Sequence, residues 1–519
     1  MPKRLSLCIL LAAVGLATAG IPEPIGIEGG SITGTPTIQW TYGVRLFRGI
    51  PYAAPPVGER RWRAPQPLVP WQGIKAADHF SPVCMQPATD TEGNAWREGM
   101  FPMSEDCLYL NVWTPAQSPA AKFPVMVFIH GGGNTRGAAS ENQYDGAYLA
   151  KKGVVFVSFN YRMNVFGFLA HPELTAESEH HSSGNYAILD QIAALQWIQR
   201  NIDKFGGDPN TVMIFGHSAG AANVCALMAS PLAKGLFHRV LAQSGNCLNN
   251  RTVLADAEKT GVKLGESLGA SSIAAMRQKS PEEILKAPRS MMGTNVDGWV
   301  FPQDAYSIFA AGKQNDVPLI VGTVADDAPG PAATPKAADA QANAQNTFHE
   351  LAGKYLALYP AASDGEAARS AHAFRTNSAL AGARTWARLQ AQAGKSKVYW
   401  YYFTHVSPMP KDLIWGGRPA LAWGAYHGSE IVYVFNAFPL QDWDWRPVDR
   451  KLGDTVSSIW TNFVKTGSPN GPGLPEWPAF DSKTEILMNF GDTPKTEPAP
   501  YREKLDFIAE WTASQRSRR

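Results

Sequence analysis

Short apolar runs, several rich in β-branched residues, recur along the chain and alternate with segments whose apolar residues return every three or four positions. A short continuous apolar run is typical of a strand buried on both faces, and the three-to-four spacing is typical of an amphipathic helix. The expected strands cover residues 125–129, 154–158, 211–215, 239–242 and 317–321, and the expected helices cover residues 186–202 and 221–228. This alternation predicts an α/β fold with a mostly parallel central sheet flanked by helices.

Two later segments predict large insertions around this sheet. Residues 326–345 are rich in Ala, Pro and Asp with little periodicity, so we expect a loop or a mobile excursion there. Residues from Phe348 to about Ala393 have helical composition. The fold is therefore expected to carry both helical and loop insertions.

The first residues have the pattern of a secretory signal peptide. Lys3 and Arg4 precede an apolar stretch that ends at Leu16, and small residues follow up to Ala19. The stretch is shorter than the ~20 residues of a membrane-spanning helix. We therefore expect residues 1–19 to be removed, leaving a secreted or periplasmic protein without a stable membrane anchor.

Composition, charge and length limit the classes of protein to which the chain can belong. Of 519 residues, 45% are hydrophobic and 18% are charged, which is a globular composition. The formal net charge of +2 becomes zero without residues 1–19, because Lys+Arg falls from 47 to 45 and equals Asp+Glu. A neutral chain without blocks of like charge does not favour nucleic-acid binding. We expect residues 20–519 to form one elaborated domain.

Four cysteines lie beyond the signal segment: Cys84, Cys107, Cys225 and Cys247. An oxidising compartment favours disulfides. Four cysteines allow three complete pairings, and the residues alone do not choose among them. None of the cysteines has the spacing of a zinc site, so no metal is expected.

Residues 216–220 read G-x-S-x-G, with Ser218 at the centre and with an expected strand before it and a helix after it. This context is the one that a nucleophile elbow requires. Glycines are needed there because bulky neighbours would clash with the crossing strand and helix. The turn presents the serine Oγ at a helix N-terminus, where developing negative charge is favoured. Ser218 is therefore the candidate nucleophile, and a structural Gly/Ser turn is the alternative.

The sequence His130-Gly-Gly-Gly133 follows the expected strand 125–129. Consecutive glycines let backbone N–H groups approach a ligand oxygen, as in the oxyanion hole of lipases and esterases. A flexible glycine loop is the alternative interpretation.

A nucleophilic serine needs a base, and the base needs an orienting carboxylate. In α/β-hydrolases the chain order is serine, acid, histidine. The histidines well after Ser218 are His238, His349, His372, His405 and His427. Only His427 lies in a glycine-flanked aromatic loop, which favours it as the base over a surface role.

The chain resembles the type-B carboxylesterase/cholinesterase family of α/β-hydrolases, and in particular secreted bacterial carboxylesterases. Besides the serine and glycine motifs, the resemblance rests on residues 47–53, 55–58, 104–113, 160–162, 166–169, 205–210, 243–245 and 477–478. It implies an α/β-hydrolase catalytic domain that hydrolyses a small-molecule ester through an acyl-enzyme, with no metal or organic cofactor. The oligomeric state is not implied.

The resemblance also assigns roles to residues. His427 matches the family's His-Gly-x-Glu segment, and Asp327 matches the last carboxylate of its Gly-Thr-x-x-Asp-Glu segment, where Glu is common. Asp326 is the competing acid. Ser244 matches a family serine near the triad, and a simple strand-end turn is its alternative. The N–H groups implied to bind the oxyanion are those of Gly132, Gly133 and Ala219.

The resemblance also bears on the pairing of the cysteines. The resemblance implies a disulfide between Cys84 and Cys107. Cys225 lies on the expected helix behind the candidate nucleophile and is expected to be a buried small apolar residue, so no bond between Cys225 and Cys247 is expected.

Two residues bear on the substrate. His217 occupies a position where the family usually has Glu, and it is expected either to tune the pocket or to pack as a hydrogen-bonded residue. Arg136 either faces the pocket and favours acidic esters or lies in solvent. Alternatives to a general carboxylesterase are a lipase or cholesterol-esterase-like enzyme, an esterase for acidic polyesters such as fumonisins, and a non-catalytic cholinesterase-like binding module.

Overall fold

The computed structural model describes residues 21–35, 43–87, 102–249, 252–287, 292–327, 335–415 and 418–517. The expected signal peptide, residues 1–19, lies outside these ranges. Within them, no helix combines the length and the apolar character needed to cross a membrane.

The strands are β1 (Ile25–Ile27), β2 (Gly30–Gly34), β3 (Arg45–Pro51), β4 (Ile74–Ala77), β5 (Val83–Cys84), β6 (Met103–Ser104), β7 (Tyr109–Thr114), β8 (Phe123–Ile129), β9 (Val155–Phe159), β10 (Gly207–His217), β11 (Arg239–Gln243), β12 (Leu319–Val324), β13 (Val398–Phe403), β14 (Ile414–Trp415), β15 (Arg418–Pro419), β16 (Ile486–Phe490) and β17 (Lys495–Pro498).

The helices are α1 (Ala147–Lys151), α2 (Asn164–Phe168), α3 (Pro172–Glu177), α4 (Tyr186–Asn201), α5 (Ala219–Ala229), α6 (Leu254–Ser267), α7 (Ile273–Arg277), α8 (Pro281–Lys286), α9 (Ala305–Ala310), α10 (Ala337–Phe348), α11 (Ala352–Leu358), α12 (Asp364–Ala393), α13 (Ile431–Phe435), α14 (Pro447–Thr466) and α15 (Arg502–Ser517).

A central ten-stranded sheet carries the fold, with the order β17-β16-β13-β12-β11-β10-β8-β9-β7-β3. The strands from β16 to β9 in this order pair in parallel. The pairs at the two edges, which involve β17, β7 and β3, are antiparallel. The structure therefore confirms the expected α/β class with a mostly parallel sheet.

The sheet separates two hydrophobic cores, and β10 contributes to both. Val212 and Ile214 point into the core that α4 and α5 cover. Met213 and Phe215 point into the core that α13 and α14 cover. Burial on both faces explains why the strand reads as a continuous apolar run in the sequence.

Each expected strand and helix is present, with ends that differ by a few residues. The expected strand at 317–321 begins later, at Leu319, and continues to Val324. Pro318 precedes it and has no N–H to donate to a neighbouring strand.

The expected loop over residues 326–345 is wrong for its later part. Residues 328–334 lie outside the described ranges, but α10 begins at Ala337. Alanine is the strongest helix former, so an Ala-rich segment forms a helix without a continuous apolar stripe. Burial of Ala344 and Phe348 then docks the helix on the core.

The structure contains two disulfides in its described part. Cys84 is joined to Cys107, as the resemblance implied. Cys225 is joined to Cys247, so the expectation of no bond there is wrong. The chain leaves β11 next to β10 and passes back over α5, which brings the two Cα atoms to 5.6 Å, within the range that a disulfide spans.

Candidate active site

Ser218 occupies a strained turn between β10, which ends at His217, and α5, which begins at Ala219. Its backbone angles are φ 59° and ψ −123°, a region that non-glycine residues rarely adopt. The turn is pressed against β8, because a Cβ added at Gly220 would overlap the carbonyl oxygen of Ile129. The glycine pattern thus permits a tight turn that exposes the serine hydroxyl.

The tertiary fold brings three side chains into one line. Nε2 of His427 lies 2.8 Å from Oγ of Ser218, and Nδ1 of His427 is hydrogen-bonded to Oδ1 of Asp327. Ser218 follows β10 and Asp327 follows β12, so both lie beyond the carboxyl ends of nearby parallel strands. His427 is supplied by the loop before α13. This is the geometry that a nucleophile, a base and an orienting acid require.

The Asp327 carboxylate is buried and supported from its other side. Thr323 donates its hydroxyl to Oδ2 of Asp327. Burial acts to raise the pKa of Asp327, but the charge of and hydrogen bond to His427, with smaller effects from the Thr323 and Ser244 hydroxyls, bring it below its ordinary value. Asp327 is therefore ionised at neutral pH and accepts the histidine N–H.

Burial acts to lower the pKa of His427, but the charge of and hydrogen bond to Asp327 outweigh it, so the pKa lies above its ordinary value. The charged imidazolium is thus stabilised, which favours transfer of a proton from the Ser218 hydroxyl to His427 Nε2.

The glycine run packs directly beside Ser218. Gly132 has φ +107°, which a glycine adopts without strain. A Cβ added at Gly131 would lie 3.0 Å from Cβ of Ser218. Tyr161 holds the run in place, since its hydroxyl donates to the His130 carbonyl at 2.7 Å. Gly131 therefore lies directly beside Ser218, and Gly132 and Gly133 follow it in the run. Ala219 is the first residue of α5, where a backbone N–H has no intrahelical acceptor.

Comparisons with known proteins show which family the chain belongs to. The model of the carboxylesterase family matches residues 22–508. The chain belongs to the carboxylesterase family. It is 35% identical to the fumonisin B1 esterase of Sphingopyxis macrogoltabida, with 86% of this chain and 83% of that protein covered. It is 33% identical to liver carboxylesterase 1F of Rattus norvegicus, with 91% and 90% covered.

The solved structures lead to the same family. A PNB esterase superposes with a TM-score of 0.81 at 29% identity, over 95% of this chain and 99% of that one. The fold is accordingly that of an α/β-hydrolase, and this carboxylesterase is an enzyme that acts on carboxylic esters. In the described residues, no group of three or more His, Cys, Asp or Glu side chains is arranged to hold a metal ion.

In this carboxylesterase, Asp326, the alternative candidate for the orienting acid, makes different contacts from Asp327. Asp326 Oδ2 accepts the backbone N–H of Ala425 at 2.9 Å, and Oδ1 lies 3.2 Å from Nε2 of His372. Asp327 therefore contacts His427, whereas Asp326 holds the same loop at Ala425, two residues before His427.

His405, another of the candidate histidines, bonds to groups other than Ser218 and Asp327. His405 is buried between the carboxylates of Asp449 and Asp492, each 2.6 Å from one ring nitrogen. It belongs to a separate cluster of hydrogen-bonded polar side chains, and no hydrogen bond between described residues joins it to Ser218.

The two residues that are expected to bear on substrate preference, His217 and Arg136, lie in different environments. His217 is buried, and its ring centroid is 4.6 Å from that of His427. Burial, reinforced by His427, lowers the pKa of His217 to about 3, against the opposing effect of Asp327. Arg136 is exposed, and its backbone N–H donates to the Gly132 carbonyl at 3.1 Å, which closes the turn after the glycine run.

The sequence reasoning assigned no role to Glu430, which lies three residues after His427. Its side chain is 1% exposed. Burial and the charge of Asp327 raise the pKa of Glu430 to about 7, although its own backbone, His427 and Gln243 act in the opposite direction. A buried carboxyl close to the triad is a typical functional-site feature. The signal was present as the last residue of the His-Gly-x-Glu segment.

Proposed function

We propose that this carboxylesterase is an exported serine hydrolase that cleaves carboxylic esters through an acyl-enzyme on Ser218. The observation that carries the proposal is the hydrogen-bonded line from Ser218 Oγ through His427 to Asp327. The charged start and apolar stretch of residues 1–19, together with two disulfides, support export to a periplasmic or extracellular location.

In the first half of the reaction, Oγ of Ser218 attacks the ester carbonyl carbon while Nε2 of His427 takes the hydroxyl proton. The N–H groups of Gly132, Gly133 and Ala219 stabilise the resulting oxyanion. The tetrahedral intermediate expels the alcohol, which receives its proton from His427, and leaves an acyl-serine.

In the second half, His427 takes a proton from water as the water oxygen attacks the acyl carbon. When the second tetrahedral intermediate collapses, the bond between Ser218 Oγ and the acyl carbon breaks, His427 returns the proton to Oγ, and the carboxylic acid is released. Asp327 keeps the imidazole in the tautomer with its proton on Nδ1 throughout.

The proposal is tested with the purified mature protein, a panel of esters and the Ser218→Ala variant. The wild type is expected to hydrolyse the panel and to gain the mass of one phosphonate when treated with a serine-directed fluorophosphonate. Ser218→Ala is expected to lose ~10⁴-fold or more in kcat and to take up no label. Full turnover by the variant contradicts the proposal.

Acyl chain length separates the general carboxylesterase from the lipase alternative. The same panel should include short-chain and long-chain esters at equal concentration. Faster hydrolysis of the short-chain esters is expected, and a preference for aggregated long-chain esters indicates the lipase alternative.

A second candidate substrate class is an ester that carries free carboxylates, as in fumonisin-type polyesters. The resemblance to the fumonisin B1 esterase favours it, as do two local residues. His217 places an uncharged ring where the family usually has Glu, so no negative charge adjoins Ser218 there. Arg136 adds a cation beside the glycine run. Arg136→Ala is expected to raise KM for an acidic ester roughly tenfold and to leave KM for a neutral ester unchanged.

A further inference from the structure

His217 packs against two consecutive residues of the loop that supplies the base. Its ring centroid lies 4.6 Å from the ring centroid of His427, with the two planes inclined by 43°. A Cβ added at Gly428 would lie 3.1 Å from Cε1 and 3.4 Å from Nε2 of His217. The His217 ring therefore fills the space beside His427 and under Gly428.

The position of His217 in the chain makes this support rigid. His217 is the last residue of β10, and its backbone is paired with Gln243 of β11. Only 8% of the residue is exposed. The ring is thus fixed to the sheet one residue before Ser218, whereas His427 comes from a loop that must be held in register with the sheet.

Three groups that can carry a charge act on the His217 ring, on His427 or on both. Asp327 approaches from the end of β12, His427 from its loop, and Glu430 from the residue before α13. His217 Nε2 is buried and has no hydrogen-bond partner within the described residues. Because its pKa is about 3, His217 is an uncharged ring throughout the range in which His427 must exchange protons.

We propose that His217 is a positioning residue for the reaction: an uncharged ring that holds the His427 imidazole in line between Ser218 and Asp327 without adding a charge beside it. The ring acts through His427 and does not exchange a proton with the substrate. This inference rests on the proposed function, because it assumes that His427 is the base.

The test compares three substitutions at one position. His217→Ala removes the ring, and it is expected to lower kcat by about 10–100-fold with little change in KM, because a misplaced base slows proton transfer and not substrate binding. His217→Phe keeps a flat ring without a titratable group, and it is expected to recover most of that loss and to keep the wild-type acid limb of kcat against pH.

His217→Glu tests the importance of an uncharged ring. A carboxylate beside His427 favours the imidazolium, so the acid limb of the kcat profile is expected to move to higher pH by about half a unit to one unit. An unchanged acid limb in His217→Glu overturns the claim about charge. Equal loss of kcat in the Ala and Phe variants overturns the claim that packing of the ring positions the base.

Two controls keep these outcomes interpretable. Thermal unfolding and the fraction of each variant labelled by a fluorophosphonate show whether the protein is folded with an intact site, and kcat is expressed per labelled site. His79→Ala removes an exposed histidine whose side chain bonds to Asp78 and makes none of the contacts described above, and it is expected to leave kcat and its pH profile unchanged.

Ser218→Ala in the same assays separates the two proposals. An active Ser218→Ala variant overturns the proposed function itself. An inactive Ser218→Ala variant combined with wild-type kcat in His217→Ala overturns only the positioning role.

Discussion

Nε2 of His427 lies 2.8 Å from Oγ of Ser218, although 209 residues separate them in the chain. The contact depends on a rigid partner, the turn after β10, and on a loop that is tied down at both ends. Asp326 accepts the Ala425 N–H ahead of His427, and buried α13 follows it. Changes that disturb either end of this loop should therefore act on kcat.

Asp327→Asn and Asp326→Asn form a matched pair that decides which carboxylate orients the base. We expect Asp327→Asn to lower kcat by ~10⁴-fold, because the amide no longer holds the correct imidazole tautomer. Asp326→Asn keeps an acceptor for the Ala425 N–H and should cost less than about tenfold. Steady-state kinetics on one ester measures both. The reverse order of losses assigns the orienting role to Asp326.

The pH dependence should report His427. The imidazole accepts the Ser218 proton only when it is neutral, so kcat/KM is expected to fall as the pH drops through the pKa of His427. Because Asp327 raises this pKa, the acid limb should lie above pH 6.5, the ordinary histidine value. In Asp327→Asn the residual activity should have its limb at lower pH. An acid limb well below pH 6 in the wild type contradicts the assignment.

Glu430→Gln should change how stability depends on pH. Burial raises the pKa of Glu430 to about 7 from an ordinary value of 4.5. Between these values the folded protein holds a proton that the unfolded chain has released, so the stabilising effect is complete below pH 4.5 and is lost as the pH rises to about 7. The amide variant lacks this loss.

The measurement is urea unfolding of wild type and Glu430→Gln at pH 5 and pH 8. The free energy of unfolding of the wild type should decrease by about 1–3 kcal/mol more than that of the variant. Parallel decreases in the two proteins show that Glu430 does not titrate differently on folding.

The Cys225–Cys247 disulfide should stabilise the helix behind the nucleophile. It closes a loop with a sequence separation of 22, for which the chain-entropy model gives about 3 kcal/mol. We expect the double Cys→Ala variant to unfold at lower urea concentration, with Cys84→Ala/Cys107→Ala as the comparison. In the denatured, unreduced mature protein, which lacks residues 1–19 and therefore Cys8, a thiol reagent should detect no free thiol. Detection of two thiols means that the bond is absent.

Much of the α/β core could be predicted from the sequence, because strands buried on both faces leave continuous apolar runs. The same local reasoning failed at α10, where strong alanine propensity replaces an apolar stripe. It also failed at Cys225 and Cys247, whose proximity arises only when β11 lies beside β10 and the chain returns over α5.

The candidate site divides in the same way. The tight turn at Ser218 and the glycine run after β8 are local, so their residue types alone predict a nucleophile and oxyanion donors. Which of Asp326 and Asp327 contacts His427 depends on which carboxylate faces a loop 100 residues away, and the fold brings Asp327 to it. Burial is the largest cause of the shifted pKa values of His217 and Glu430, because removing a group from water penalises its charged form.

The fold class, the tight turn at Ser218 and the family resemblance can be inferred from the amino-acid sequence, since each is encoded in residues adjacent along the chain. The second disulfide, the packing of the His217 ring against His427 and the burial of the Glu430 carboxyl became evident from the folded chain. These features depend on distances across the fold and on exclusion of water, and a linear pattern records neither.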